Sequence, residues 1–154
     1  MTDIIPEATK AVSSEYGHNE KVEILEDLIL QIPQVDLRTT HALSGGLYAR
    51  TIYIPAGTVL TGAKHKKDHI NVLMGDITVS TDDGMKRLTG YHVLPTQAGA
   101  KRAGYAHSDT CWTTICKTEL TDIDAIEDEL VENSSRLQTR LQAIGVTKQT
   151  VLEN

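Results

Sequence analysis

Three patterns of apolar and polar residues follow one another along the chain. Between Glu20 and Gln31, Val22, Leu25, Leu28 and Ile29 recur at helical spacing, which predicts a short amphipathic helix. Asn19 is its expected N-cap. Pro33 ends it, because the residue before a proline avoids the α region. Ahead of it, Met1 to Asn19 shows no periodic apolar pattern and reads as a loose arm.

From Leu37 to Lys117 the pattern changes to short runs rich in Val, Ile, Thr and Tyr, divided by Gly, Pro and Asp. These predict strands over Leu47–Ile54, Thr58–Leu60, His69–Ser80, Met85–Leu88, His92–Leu94, Lys101–Ala106 and Cys111–Lys117. Turns are expected at Ser44-Gly45-Gly46, Pro55-Ala56-Gly57, Asp82-Asp83-Gly84 and Gln97-Ala98-Gly99. Asp83-Gly84 between two strand patterns is the strongest hairpin signal of the chain. Short, regularly spaced strands predict a sandwich or barrel. After Thr121 helical spacing returns. Ile123, Ile126, Leu130, Leu137, Leu141 and Ile144 form one stripe, which predicts a helix over Asp122–Ile144. Thr121 is its expected cap, Asp122 and Asp124 suit the positive end of its dipole, and Gly145 can end it. Asn133 or Ser134 interrupts the stripe where an apolar residue is due. The expected organisation is an arm and short helix over residues 1–36, a barrel over 37–118, and a helix and tail over 119–154.

A chain of 154 residues fits one domain. Aromatics are only 4% and Phe is absent, so the core falls to Val, Ile and Leu. The net charge of −6 argues against a general nucleic-acid or anionic-membrane surface. No run approaches the ~20 apolar residues of a membrane span, and none has signal-peptide form, so a cytoplasmic protein is expected. Cys111 and Cys116, in one extended strand, would lie about 16 Å apart at ~3.3 Å per residue. That is too far for a disulfide, so two reduced thiols are expected.

The candidate chemistry centres on Gly62 to Val79. Period two puts His65, Lys67, His69 and Asn71 on one strand face, with Asp68 and Ile70 on the other. Two histidines on one face can reach a single ion, which would need a third ligand from His107, His92 or Cys116. The alternative is a pair of polar histidines lining a wet groove. Trp112 reads as core before it reads as a stacking platform. Lys64, Lys66 and Lys67 read as a solvated turn, and Asp82 and Asp83 as hairpin residues.

The order of these features resembles the cupin family. Its first motif, a Gly, a His-x-His, a following Glu and a closing Gly, is matched by Gly57, Thr58, His65, His69 and Gly75. His65 then stands on the family's second His and His69 on its Glu, with Asp68 a competing match, while the first His falls on Ala63. The second motif looks like Pro95 to His107. Its His falls on Arg102 when Ala98-Gly99 is aligned with the family's Pro-x-Gly, and reaches His107 only if the strand is shifted by five residues. The resemblance implies a mainly β fold: a cupin-like antiparallel β-barrel of jelly-roll type with flanking N-terminal and C-terminal α-helices. The stretches Gly46 to Gly62 and Lys101 to Ile115 are similar to small single-domain cupins of tailed bacteriophages, which implies a viral accessory or virion-associated role.

Three functions follow as expectations. The favoured one is small-molecule binding without turnover, with an anionic ligand held by His65, His69, Asn71 and Arg102. The second is a metal-dependent enzyme using His65, His69 and His107 to hold a divalent transition ion such as Fe, Mn, Ni or Zn. The third is an assembly protein with an inert barrel, its helices docked to a phage or host protein. A homo-oligomer, with a dimer favoured, is expected from the resemblance. The length of the second helix points the same way, since part of its stripe near Leu137 to Ile144 should overhang the barrel.

Overall fold

The computed structural model describes residues 16–138. It is mainly β: a curled antiparallel sheet with two helices. The elements are α1 (His18–Ile29), β1 (Arg38–Ser44), β2 (Leu47–Ile54), β3 (Val59–Thr61), β4 (His69–Thr81), β5 (Gly84–Thr96), β6 (Ala103–Ala106), β7 (Thr110–Lys117) and α2 (Ile123–Leu130). A single 3-10 turn follows over Ser134–Arg136.

The sheet runs in the order β1-β2-β7-β4-β6-β3, and β5 pairs with β4. β4 is its spine. Ile70 to Met74 pair with β7, while Ile77 to Val79 pair with β6. Where the partner changes, the sheet bends. Alternation along β4 then points Leu73, Ile77 and Val79 inward, and they form the main core with Leu37, Ile54, Leu60, Leu88 and Ala106.

Several boundaries differ from the sequence expectation. The hairpin at Gly84 is present, but β5 runs unbroken to Thr96 where two shorter strands were expected. β1 was not expected. Its run RTTHALS is nearly all exposed and carries no apolar alternation, so pairing with β2 makes it a strand. Asn19 does not cap α1. It lies in the first turn, and its side chain donates to the Gly99 carbonyl at 2.9 Å. α2 is capped by Asp122, which accepts from the Ala125 amide at 3.0 Å, and not by Thr121.

The long second helix is the largest correction. It stops at Leu130. Val131 is extended and forms a bridge with His65, while Asn133 is left-handed at φ 53°. Val, Asn and Ser are poor helix formers, and pairing with residues 64–66 supplies the backbone bonds a helix would have made. Leu137 folds back into a second cluster with Tyr48, Cys116, Ile126, Leu130 and Val131. The overhang argument for a dimer therefore fails at Leu137. Leu141, Ile144 and Gly145 lie outside the described residues.

Candidate functional site

The second cluster and the inner faces of β2, β4 and β7 enclose a cavity of about 130 Å³. Its wall is mostly apolar, with Ile54, Leu60, Ile77 and Trp112 among the lining residues. The polar lining comes from His65, His69, Asn71, Thr96, Arg102, Arg50, Thr114 and Glu127. The four residues expected to hold a ligand, His65, His69, Asn71 and Arg102, thus share one cavity.

They reach it by different routes from the expected one. The strand begins at His69, and residues 62–68 form a loop. His65 is not a strand neighbour of His69 by parity. It is brought there by its bridge to Val131, and the two rings lie 4.1 Å apart. Lys67 is exposed and pairs with Glu129 at 3.1 Å. Lys64 pairs with Glu132 at 3.4 Å, and the Lys66 ammonium donates to the Asp128 carbonyl at 2.9 Å. The three lysines are therefore not a free solvated turn. They tie the His65 loop to the α2 region.

Asn71 is the hub of the polar wall. Its Oδ1 accepts from Trp112 Nε1 at 3.1 Å and Thr114 Oγ1 at 2.9 Å, and its Nδ2 donates to Thr96 Oγ1 at 3.0 Å. Three of its four hydrogen bonds are made within the protein, leaving one N–H for anything else. Asn71 therefore positions its neighbours more than it contacts a ligand. Trp112 packs on the core, as expected, and also lines the cavity.

His69 donates through Nδ1 to the Lys67 carbonyl at 3.0 Å. Burial, with Arg102 nearby, holds its pKa below the ordinary 6.5. Burial, and then His69 beside it, pushes His65 down to about 4. Burial and Arg50 likewise lower His41, whose Nδ1 lies 2.6 Å from the Tyr48 hydroxyl. All three imidazoles are neutral at pH 7, and the unfolded chain takes up protons at a higher pH than the fold does. Their contribution to stability is complete above pH 6.5 and is lost as the pH falls through the lowered folded values, about 4 for His65. We expect the melting temperature to fall between pH 7 and 5, and His65→Gln to remove part of that fall. An unchanged slope in the variant would refute the assignment.

His107 does not join the pair. β6 points Gly104 and Ala106 inward, so Tyr105 and His107 take the outer side. The His107 ring lies 2.7 Å from Thr78 Oγ1 and edge-on to Tyr105 at 4.9 Å. His92 is also elsewhere, with Nε2 2.8 Å from the Thr89 carbonyl. Cys116 does line the cavity, where burial pushes its thiol up to about 11. Among the described residues, no group of three His, Cys, Asp or Glu is placed to hold an ion. Both cysteines are free thiols.

Arg50, Tyr48 and Glu127 were not singled out from the sequence. Parity could have found Arg50, because Tyr48, Arg50, Ile52 and Ile54 alternate along β2 and all line the cavity. Arg50 Nε is buried and, among the described residues, without a hydrogen bond. Glu127 is buried on α2. Arg50 and Glu127 act with opposite sign on Tyr48 and His41, and the charge of Arg50 also reaches His65.

No family model and no curated protein matches the chain. Solved structures of similar shape include a cupin superfamily protein from Desulfitobacterium hafniense, at 17% identity and a TM-score of 0.46 over 62% of this chain and 88% of that one. A cupin domain from Bordetella pertussis matches at 15% identity and a TM-score of 0.44, over 56% of this chain and 98% of that one. A cupin-2 domain protein from Shewanella frigidimarina matches at 12% identity and a TM-score of 0.42, over 60% and 91%. No helix among the described residues is long and apolar enough to cross a membrane.

Proposed function

We propose that this chain is a small-molecule-binding protein whose cavity holds a small anion without turning it over. The observation that carries this reading is Arg102. Its side chain lines the cavity and is half-buried, and burial pulls its pKa below the usual arginine range. Among the described residues it has no carboxylate partner, and its one hydrogen bond, to Thr96 Oγ1, is long at 3.5 Å. A cation withdrawn from water without a partner is costly, and a ligand carboxylate or phosphate offers the guanidinium a bidentate partner.

Acetate, inorganic phosphate and sulfate at millimolar concentration are expected to raise the melting temperature. Arg102→Ala should weaken the best of them by about 10- to 100-fold, the size of one lost charge-assisted hydrogen bond at ~1.5–3 kcal/mol. An equal response in wild type and variant would remove the anion reading. The likeness of Gly46 to Gly62 and Lys101 to Ile115 to phage proteins supports an accessory or virion-associated role for such a binder.

A second reading, a metal-dependent enzyme, is favoured by the closeness of the His65 and His69 rings. Two imidazoles fall short of the three protein ligands usual in catalytic sites. Metal analysis of the purified protein is expected to find well under one equivalent. A stoichiometric ion that is lost in His65→Ala and His69→Ala would overturn the non-catalytic reading.

A further inference from the structure

We infer that the cavity takes a small monocarboxylate carrying a hydroxyl beside an apolar body, with the carboxylate on Arg102 and the hydroxyl donating to Nε2 of His69. This rests on the anion-binding reading above and adds the rest of the ligand to it.

The charge count limits the anion. Among the described residues, the cationic and carboxylate side chains lining the cavity are Arg50, Arg102 and Glu127, one more cation than anion. Among the described residues Arg102 has no carboxylate partner, so its charge is the one left for a ligand to balance. One monoanion balances it. A dianion would bring a second negative charge into a cavity that already holds Glu127.

The hydrogen-bond inventory supplies the hydroxyl. His69 Nδ1 faces a carbonyl, which can only accept, so Nδ1 carries the proton and Nε2 of the neutral ring is a lone pair. Among the described residues no hydrogen bond to His69 Nε2 is made, and His69 lies close enough to Arg102 to feel its charge. An acceptor beside a cation fits a group that offers an O–H next to its carboxylate. Asn71 cannot take this role as acceptor, since its Oδ1 already serves Trp112 and Thr114. Opposite these polar groups the wall is Ile54, Leu60, Ile77 and Trp112, which an aliphatic body would cover.

Isothermal titration calorimetry on the full chain at pH 7 separates the parts. The probes are 2-hydroxyisocaproate, isocaproate, the amide of 2-hydroxyisocaproate, and malate. We expect 2-hydroxyisocaproate to bind best, with each of the other three at least 10-fold weaker. His69→Phe keeps a flat ring against His65 and removes the acceptor. It should bring the ratio of 2-hydroxyisocaproate to isocaproate affinity close to one, with a cooperative melt confirming the fold. Equal binding of isocaproate in the wild type, or a ratio unmoved by His69→Phe, overturns the hydroxyl assignment and leaves the anion reading standing. Malate binding as well as 2-hydroxyisocaproate overturns the charge count. No binding of any carboxylate, together with no response to phosphate or sulfate, overturns the anion reading itself.

Discussion

Gly75→Ala is expected to lower the free energy of unfolding by about 3 kcal/mol or more, through overpacking that side-chain movement cannot relieve. A Cβ at position 75 would overlap Thr110 Oγ1 and stand 2.7 Å from the Thr110 backbone at Cα. The backbone of Gly75 is also at φ +153°, where few side chains sit. The site is the corner at which β4 leaves β7 and takes up β6. Thr110 opens β7 there, and its hydroxyl lies 3.2 Å from the Asp76 amide. Thr110→Ala in the same chain should not rescue the variant, because the clash with the backbone of residue 110 stays. Gly104→Ala gives the comparison. Its Cβ would meet the ends of Ile77 and Leu60 at 3.2 and 3.3 Å, and such flexible ends can give way, so a cost nearer 1 kcal/mol is expected. Urea midpoints read all three. A Gly75→Ala midpoint close to wild type, or full rescue by Thr110→Ala, would show that the corner is not closed in this way.

Lys101→Met is the second large effect expected, again about 3 kcal/mol, the low end of what breaking a buried ion pair costs. Lys101 is buried, and its ammonium donates to Glu26 on α1 and to the Gly62 carbonyl at 2.8 Å. Glu26 also accepts from Thr61 Oγ1 at 2.7 Å and from Arg136 at 2.9 Å. One carboxylate thereby ties the first helix to β3 and to the segment after α2. The remaining partners keep the cost from being larger. Burial alone would raise the Glu26 pKa, but Lys101, Thr61 and Arg136 together hold it below 4.5. Its contribution is therefore complete above pH 4.5 and is lost as the pH falls through the lower folded value. A double variant, Glu26→Leu with Lys101→Met, should recover part of the loss, since an apolar pair leaves no charge stranded. Additive losses in that double variant would mean that the two groups do not act as a pair.

Local periodicity determined much of this fold. β2 spans the residues its alternation marks, and the hairpin at Gly84 and the turns at Gly57 and Gly99 fall where the glycines stand. Periodicity reports which face a residue takes within its own element, and for those segments no distant contact competes. It was misleading where one does. The stripe from Ile123 to Leu137 is spaced for a helix, yet Val131 pairs with His65 and ends it. β1 has no pattern of its own and is a strand because β2 lies beside it.

The candidate site divides in the same way. His69 and Asn71 share a face by strand parity, and the sequence by itself determined that. Tertiary structure decided the rest. His65 reaches His69 through the segment after α2, His107 is turned outward by the parity of β6, and Arg50 and Glu127 enter from β2 and α2. Asn71 meets Trp112 and Thr114 at separations of 41 and 43 residues, and Lys101 meets Glu26 at 75. Spacing along a chain carries no information about such distances. They exist only once β4 has bent at Gly75 and the sheet has curled around the cavity.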